Sequence, residues 1–379
     1  MEKKGTIFYL IAGRFPGEKA AALFAAKSTE AFQRLGQRSE VLAPRRLRRA
    51  QTSVQEFYRL KEPISTVYFP TIDLGPTPFF GPLAFRISLL LFGVAVYFYL
   101  FFSKKRGDIC ISNEAVPLLF ASFAVRTTCY EVHDYPEKNR WLYTWLFSRV
   151  TKILVTNRVK LERLRKEYPA YFNKFFYEAN AVDLDEFEYV DKEKARQKLA
   201  LPSNRKLAVY TGQLFSWKGT DTLASAAKLL PEDWDVYVVG GSPQDVAEFK
   251  QKHGEHKSIH TVGQRPYEEM PLWQSAADVL VLPNTAKEAI SRDYTSPMKL
   301  FMYMASGVPI VATDLPSVID VVGKDMATIV PPDDPKALAS GIQRALTEGR
   351  DGKVARAKAW VSHHTWERRG ERILAELTF

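Results

Sequence analysis

The sequence predicts an α/β protein of two domains, each a parallel β-sheet covered by helices on both faces. Three observations carry that expectation. The chain has 379 residues, more than the ~100–200 of one ordinary domain core. Short apolar runs alternate with intervals long enough for a helix, the pattern of parallel strands joined by crossovers. And the alternation occurs twice, on either side of the charged stretch Asp183–Arg205.

The first series opens with a strand at Ile7–Ala12, a loop at Gly13–Gly17 and a helix from Ala20 to Leu35, which Gly36 stops. Further strands are expected at Glu40–Ala43, Thr66–Phe69, Ile109–Ile111, Val125–Val132 and Lys152–Val155. The second series places strands at Leu207–Thr211, Val236–Val239, Ile259–Val262, Val279–Leu282, Ile310–Ala312 and Thr328–Val330. Between the two, Asp183–Arg205 reads as a hinge segment with a connecting helix. The uncharged run Ile87–Ser103 is shorter than the ~20 residues that usually span a bilayer, so it reads first as a buried crossover helix. Its aromatics and its flanking Lys104-Lys105-Arg106 keep an interfacial helix as the second reading, with a true span as the third.

Composition narrows the classes. With 46% apolar and 25% charged residues, the chain is neither disordered nor fibrous. Cys110 and Cys129, both within apolar runs, form no disulfide framework and no zinc spacing, as fits a reducing compartment. The apolar run after Lys4 is too short for an export signal, so a cytoplasmic location is expected. The net charge of +10 is concentrated: residues 1–190 carry 28 Lys and Arg against 19 Asp and Glu, the remainder 25 against 24. Since no common nucleic-acid module accompanies the basic clusters Arg45, Arg46, Arg48, Arg49 and Lys104–Arg106, anionic lipid headgroups are the expected partner rather than nucleic acid. A dinucleotide-dependent oxidoreductase is excluded by the lack of any Gly-x-Gly-x-x-Gly.

In such sheets a ligand sits at the carboxyl ends of the strands, where loops and helix N-termini offer N–H groups. Four segments stand there. Gly212-Gln213-Leu214-Phe215-Ser216-Trp217-Lys218-Gly219 follows a strand; its glycine allows close approach of backbone to a phosphate and Lys218 supplies charge. Tyr294-Thr295-Ser296-Pro297-Met298-Lys299 opens a helix that Thr295 or Ser296 can cap, with Pro297 in its first position and its dipole facing a diphosphate. Gly263-Gln264-Arg265 follows the strand Ile259–Val262. Gly13-Arg14-Phe15-Pro16-Gly17 is the corresponding loop of the first half. Each alone is also compatible with an ordinary βα turn.

Taken together, Tyr-Thr-Gly-Gln-Leu…Trp-Lys-Gly at 210–219, Ala-Ala-Asp-Val-Leu-Val-Leu-Pro at 276–283 and Ser-Pro-Met-Lys-Leu-Phe…Tyr-Met-Ala-Ser-Gly at 296–307 closely resemble the retaining glycosyltransferases of family 4. Phe15-Pro16-Gly17-Glu18-Lys19 and Glu131-Val132-His133-Asp134 support the likeness. The resemblance implies a GT-B fold, two Rossmann-like domains with an interdomain cleft, and metal-independent transfer of a sugar from a UDP- or GDP-sugar. It gives His133 a place against the donor sugar and Lys218 the diphosphate. It also puts Gly212, Gln213, Gly263, Arg265, Tyr294, Thr295, Ser296, Pro297, Met298, Lys299 and Met302 around the donor, and Gly13, Arg14 and Gly17 on the acceptor side. No metal ligand and no cofactor are implied. Domains at 1–185 and 186–362 follow, with 363–379, which includes His363-His364, as a terminal helix crossing back to the first.

Two departures stand out. Many relatives carry arginine where this chain has Gln213 and a ribose-gripping glutamate where it has Met302, with Tyr294 in place of that glutamate's upstream partner. Gln213 still donates a hydrogen bond, but Met302 cannot accept from ribose hydroxyls. The alternative to an enzyme is therefore an inactive homologue that binds a partner. For the enzyme, the basic first half points to a lipid-linked or polysaccharide acceptor at the inner membrane face, as in assembly of the cell envelope.

Overall fold

The computed structural model describes residues 5–17, 19–46, 52–71, 81–103, 108–187, 190–254 and 256–378. The chain divides into two compact units, one of residues 1–156, 160–178 and 366–379, the other of residues 157–159 and 179–365.

The first unit is built on seven strands: β1 (Thr6–Leu10), β2 (Arg38–Pro44), β3 (Ser65–Phe69), β4 (Ile109–Ser112), β5 (Thr127–Val132), β6 (Lys152–Val155) and β7 (Phe175–Tyr177). They are all parallel, in the order β3-β2-β1-β4-β5-β6-β7. Both faces are covered, which is why the central strands read as continuous apolar runs. Phe8, Leu10, Cys110 and Val132 face one core, Ile7, Tyr9, Ile111 and Cys129 the other. Both cysteines are buried. β7, of only three residues, has no counterpart among the strands read from sequence.

The run read as a buried crossover is a 22-residue helix, Gly81–Phe102, and that reading is corrected on its outer side. Phe92, Val96 and Leu100 are fully buried, with Phe92 and Tyr99 edge-on to Phe69. Leu83, Leu90 and Phe98, however, are about half exposed. The helix also starts earlier than the uncharged run because Arg86 lies on the exposed side and does not interrupt it. The basic residues Arg48, Arg49 and Lys104–Arg106, like Glu18, lie outside the described residues.

The terminal helix Trp366–Leu377 packs in this unit on the helix Ala20–Arg34. Its apolar stripe delivers Trp366, Ile373 and Leu377 to the core. Ion pairs Arg34–Glu367, Lys152–Glu376 (2.8 Å) and Arg372–Glu178 (2.7 Å) fix its two sides.

The second unit has six parallel strands: β8 (Lys206–Thr211), β9 (Trp234–Val239), β10 (Ile259–Gly263), β11 (Val279–Leu282), β12 (Ile310–Thr313) and β13 (Thr328–Val330), in the order β10-β9-β8-β11-β12-β13. The charged stretch before β8 is built into this unit. Arg196, buried on the helix Lys192–Lys198, donates to Ala276 O at 3.0 Å and pairs with Asp278 at 2.7 Å, locking the segment beneath the helix that precedes β11. In each sheet the order reverses once, between β1 and β4 and between β8 and β11. Those two switch points are where open α/β sheets hold ligands.

Candidate functional site

At the second switch point the loop after β8 carries Gly212, Gln213 and a short turn Ser216–Lys218. Gly219 follows at φ +70°, and a Cβ there would stand 2.0 Å from Pro283 O at the end of β11. Only glycine lets the two strand ends approach so closely, and the helix Thr220–Ala227 starts immediately behind it. Ser216 Oγ donates to Glu288 at 2.6 Å, tying the turn to the segment before residues 290–294.

The half-buried Lys218 has its ammonium 3.5 Å from the centroid of the Trp217 ring. Burial pushes it down to about 7. Lys299, one residue into the helix Met298–Ser306, sets its ammonium 3.9 Å over the ring of buried Tyr210, against Gly212. Its Nζ is shielded from solvent without a hydrogen-bond partner among the described residues. Burial, and then the neighbouring Lys218 charge, hold Lys299 well below the usual lysine range. Two lysines from segments some eighty residues apart thus lie near enough for their charges to act on each other, with Lys299 directly against Gly212. That is an arrangement suited to an anion.

The surrounding backbone is held from several directions. Tyr303 OH accepts from Thr211 N at 2.9 Å, and Tyr210 OH donates to Gln213 O at 2.7 Å, while the Gln213 side chain is exposed. Thr295 N donates to Ile290 O, so the buried Tyr294 closes a wide turn ahead of the helix. The expected cap is corrected. The helix begins at Met298, Pro297 occupies the capping position, and neither Thr295 nor Ser296 caps it. At Ser296 the reason is competition, since Asn180 Nδ2 donates to its O and Oγ at 2.9 and 3.0 Å; at Thr295, Asn157 Nδ2 holds the backbone carbonyl at 2.9 Å.

Gly263 ends β10 and accepts from Gly240 N at 2.8 Å, while Gly212 N donates to Val239 O at 2.8 Å. Gly212, Gly240 and Gly263 thereby line up along neighbouring strand ends. Arg265 is exposed beyond them, and Met302 lies one turn after Lys299, partly buried. Sequence reasoning passed over Gly240-Gly241, although a glycine pair directly after the strand Val236–Val239 was a usable signal. Asn284, at the end of β11, is fully buried, and its amide has no hydrogen-bond partner among the described residues.

The first unit has its own cluster at the carboxyl ends of β1, β4 and β5. Gly13 faces open space, Arg14 is exposed, and Gly17 N donates to Tyr58 OH at 2.7 Å. His133 follows β5 with Nε2 at 3.1 Å from Glu131 Oε1 and its ring edge-on to Phe24. Glu131 is wholly buried between Arg369 (2.7 Å) and Tyr9 OH (2.9 Å). Burial alone would raise its carboxyl, but the charges of Arg369 and His133 bring it to about 2. Lys160, buried, donates to the carbonyls of Val132 and His133 at 2.7 and 2.8 Å and fixes the backbone that presents the imidazole. Burial lowers it to about 8. After β4, Glu114 is raised by burial, with His133 opposing and Asp134 adding to the shift. Glu114 was missed from sequence; it stands directly behind Ile109–Ser112, and only the strand order makes that position the switch point.

Residues 205–348 match the family model described as Glycosyl transferases group 1. The putative teichuronic acid biosynthesis glycosyltransferase TuaC of Bacillus subtilis (strain 168) is 29% identical over 153 residues, 40% of this chain and 36% of that protein. The D-inositol 3-phosphate glycosyltransferase of Corynebacterium urealyticum is 23% identical over 261 residues, 64% of this chain and 60% of that protein. The chain thus matches less than two thirds of the length of each of these curated relatives. Among solved structures, Anabaena Alr3699/HepE in complex with UDP and glucose superposes with a TM-score of 0.76 at 18% identity, covering 99% of both chains. Sucrose-phosphate synthase from Thermosynechococcus elongatus gives 0.77 at 18% identity and 98% of both. The fold is that of the GT-B glycosyltransferases. Within that class, residues 205–348 of the second unit are similar to the glycosyl transferases group 1.

Proposed function

We propose that this protein transfers a sugar from a nucleoside-diphosphate sugar, UDP- or GDP-linked, with retention of anomeric configuration, to a lipid-linked or polysaccharide acceptor at the inner face of a membrane. The observation that carries the reading is the mutual repulsion of two lysines, Lys218 in the turn after β8 and the buried Lys299 against Gly212. A diphosphate placed there receives two ammonium groups in a poorly solvated site, where charge developing on the leaving group is strongly stabilised. These groups supply the charge a metal would otherwise bring. His133, oriented by Glu131, is assigned to the donor sugar, and Gly13, Arg14 and Gly17 to the acceptor side. Diphosphate departure and attack by the acceptor hydroxyl then occur on one face of the sugar, with water excluded. The relative TuaC, named for teichuronic acid biosynthesis, and the net positive charge of residues 1–190 support an envelope polymer or its lipid-linked precursor as acceptor.

Calorimetric titration of the full chain with UDP, GDP and ADP tests the reading. Binding of one of them is expected, weakened by Met302; binding of none identifies the inactive homologue instead. The same titration carries a pH signature. Lys218, near 7 when free, is raised when a diphosphate arrives, so affinity is greatest below about 7 and falls as pH rises through the bound value. At pH 8, titrations in buffers of different ionisation enthalpy should report net uptake approaching about one proton per nucleotide. Uptake indistinguishable from zero removes Lys218 from the diphosphate.

A further inference from the structure

The membrane-located acceptor leaves open which surface meets the bilayer. Resting on that part of the proposed function but not on its sugar chemistry, we propose that the outer face of the helix Gly81–Phe102 lies in the interfacial layer of an anionic phospholipid membrane, its axis parallel to the surface.

Leu83, Ile87, Leu90, Val94, Phe98 and Phe101 follow one another at spacings of three and four residues, so they form a single stripe. Each is between 37% and 57% exposed. The stripe runs for roughly 27 Å along the helix and contains no charged residue. A helix at a water-facing surface ordinarily turns polar residues outward; a continuous apolar strip marks a surface with a partner.

The occupant follows from what the rest of the helix does. Phe92, Val96 and Leu100, on the opposite side, are fully buried in the core, and Phe92 and Tyr99 pack on Phe69 of β3. The helix cannot cross a bilayer without abandoning that core and exposing sheet backbone to hydrocarbon, so only its outer half is available to lipid. Charge then selects among partners. Arg86 borders the stripe, Lys104-Lys105-Arg106 follows the helix in sequence, and residues 1–190 carry 28 basic against 19 acidic residues. Anionic headgroups complement that excess, whereas a second copy of the chain would bring the same positive half against it. The helix Ala115–Ala121 packs between this helix and Arg140–Arg149, on which Trp141 and Trp145 are exposed at 69% and 47%. Such rings suit the headgroup boundary.

The test uses the full chain with Val94→Cys, labelled with an environment-sensitive fluorophore; Cys110 and Cys129 are buried and escape the label. With vesicles of phosphatidylglycerol and phosphatidylcholine, emission should shift to the blue and be quenched by lipids brominated near the headgroup more than by lipids brominated near the acyl-chain end. Leu90→Glu with Phe98→Glu should weaken vesicle binding at least about tenfold while leaving nucleotide affinity unchanged. Vesicle binding without any fluorescence change would overturn the proposal, as would strongest quenching from the bilayer centre. A dimer in sedimentation velocity that the double variant dissolves, with no vesicle binding by the native chain, would assign the stripe to a second copy instead. Absence of nucleotide binding would count against the transferase reading alone and leave these lipid results standing.

Discussion

Lys218→Ala is expected to lower kcat/KM for sugar transfer by about 10²–10³-fold, the effect of removing one preorganised donor from a developing oxyanion. The thermal midpoint should not fall. In the ligand-free protein Lys218 is a half-buried ammonium near a second one, its nearest ring partner is Trp217, and burial has already pushed it down to about 7. Removing a cation that neither accepts a carboxylate nor donates a described hydrogen bond relieves desolvation and repulsion of Lys299. Activity and stability thus move in opposite senses, the pattern of a group held in place for a ligand rather than for the fold. Lys218→Arg keeps the charge but not the point geometry, and should recover only part of the rate. The measurement is initial rate with the nucleotide sugar that binds, beside a calorimetric midpoint. A variant that turns over like the native chain, or one that unfolds several degrees earlier, would contradict the role given to this lysine.

That much of the site could be read before any coordinates because its parts are local. Each strand of a doubly covered sheet is apolar on both faces, so Leu207–Thr211 or Val279–Leu282 announces itself as an uninterrupted run, and a Gly-rich or Pro-opened segment directly behind it marks a strand end. The extended apolar run at 87–103 was ambiguous for a related reason. A helix apolar all round reads as buried, and composition cannot tell a face turned to core from one turned to lipid. β7 escaped because three residues, Phe175–Tyr177, pair through backbone to β6 and need no period of their own. The cap at residues 295–298 was misassigned because the Ser296 hydroxyl that local rules would aim at helix N–H groups accepts from Asn180, and the Thr295 carbonyl accepts from Asn157, both more than a hundred residues earlier. Glu114 and Lys160 were invisible for the same cause. Their importance arises from strand order, which places the ends of β4 and β5 side by side, and order is a property of the sheet rather than of any window of sequence.

The largest long-range dependence of this kind supplies the strongest stability prediction. Arg369→Met should destabilise the first unit by about 3–5 kcal/mol, because it takes from the fully buried Glu131 carboxylate the larger of the two charges that hold it ionised. For a unit of this size that corresponds to a fall of roughly 10 °C in the thermal midpoint. Tyr9 OH still donates to Glu131 at 2.9 Å and His133 Nε2 stays 3.1 Å away, but a neutral hydrogen bond and the lesser charge do not offset the loss of the buried guanidinium. The pH dependence gives the sign that distinguishes this from lost packing of the guanidinium over Phe24. In the native chain Glu131 is held at about 2, below its unfolded value, so its contribution is present above about 4.5 and is lost as pH falls toward 2. Without Arg369, burial dominates and the folded value rises above the unfolded one; the carboxyl then favours the folded state only when protonated. The difference in midpoint between native and variant should therefore narrow as pH is lowered from about 6 to 3, whereas a packing defect alone would leave it constant. Glu131→Gln combined with Arg369→Met removes both charges and should recover a large part of the loss, since the pair's cost lies in stranding one member. A double variant as unstable as Arg369→Met alone would show that the terminal helix is held by its apolar face, through Trp366, Ile373 and Leu377, and not by the ion pair beneath His133.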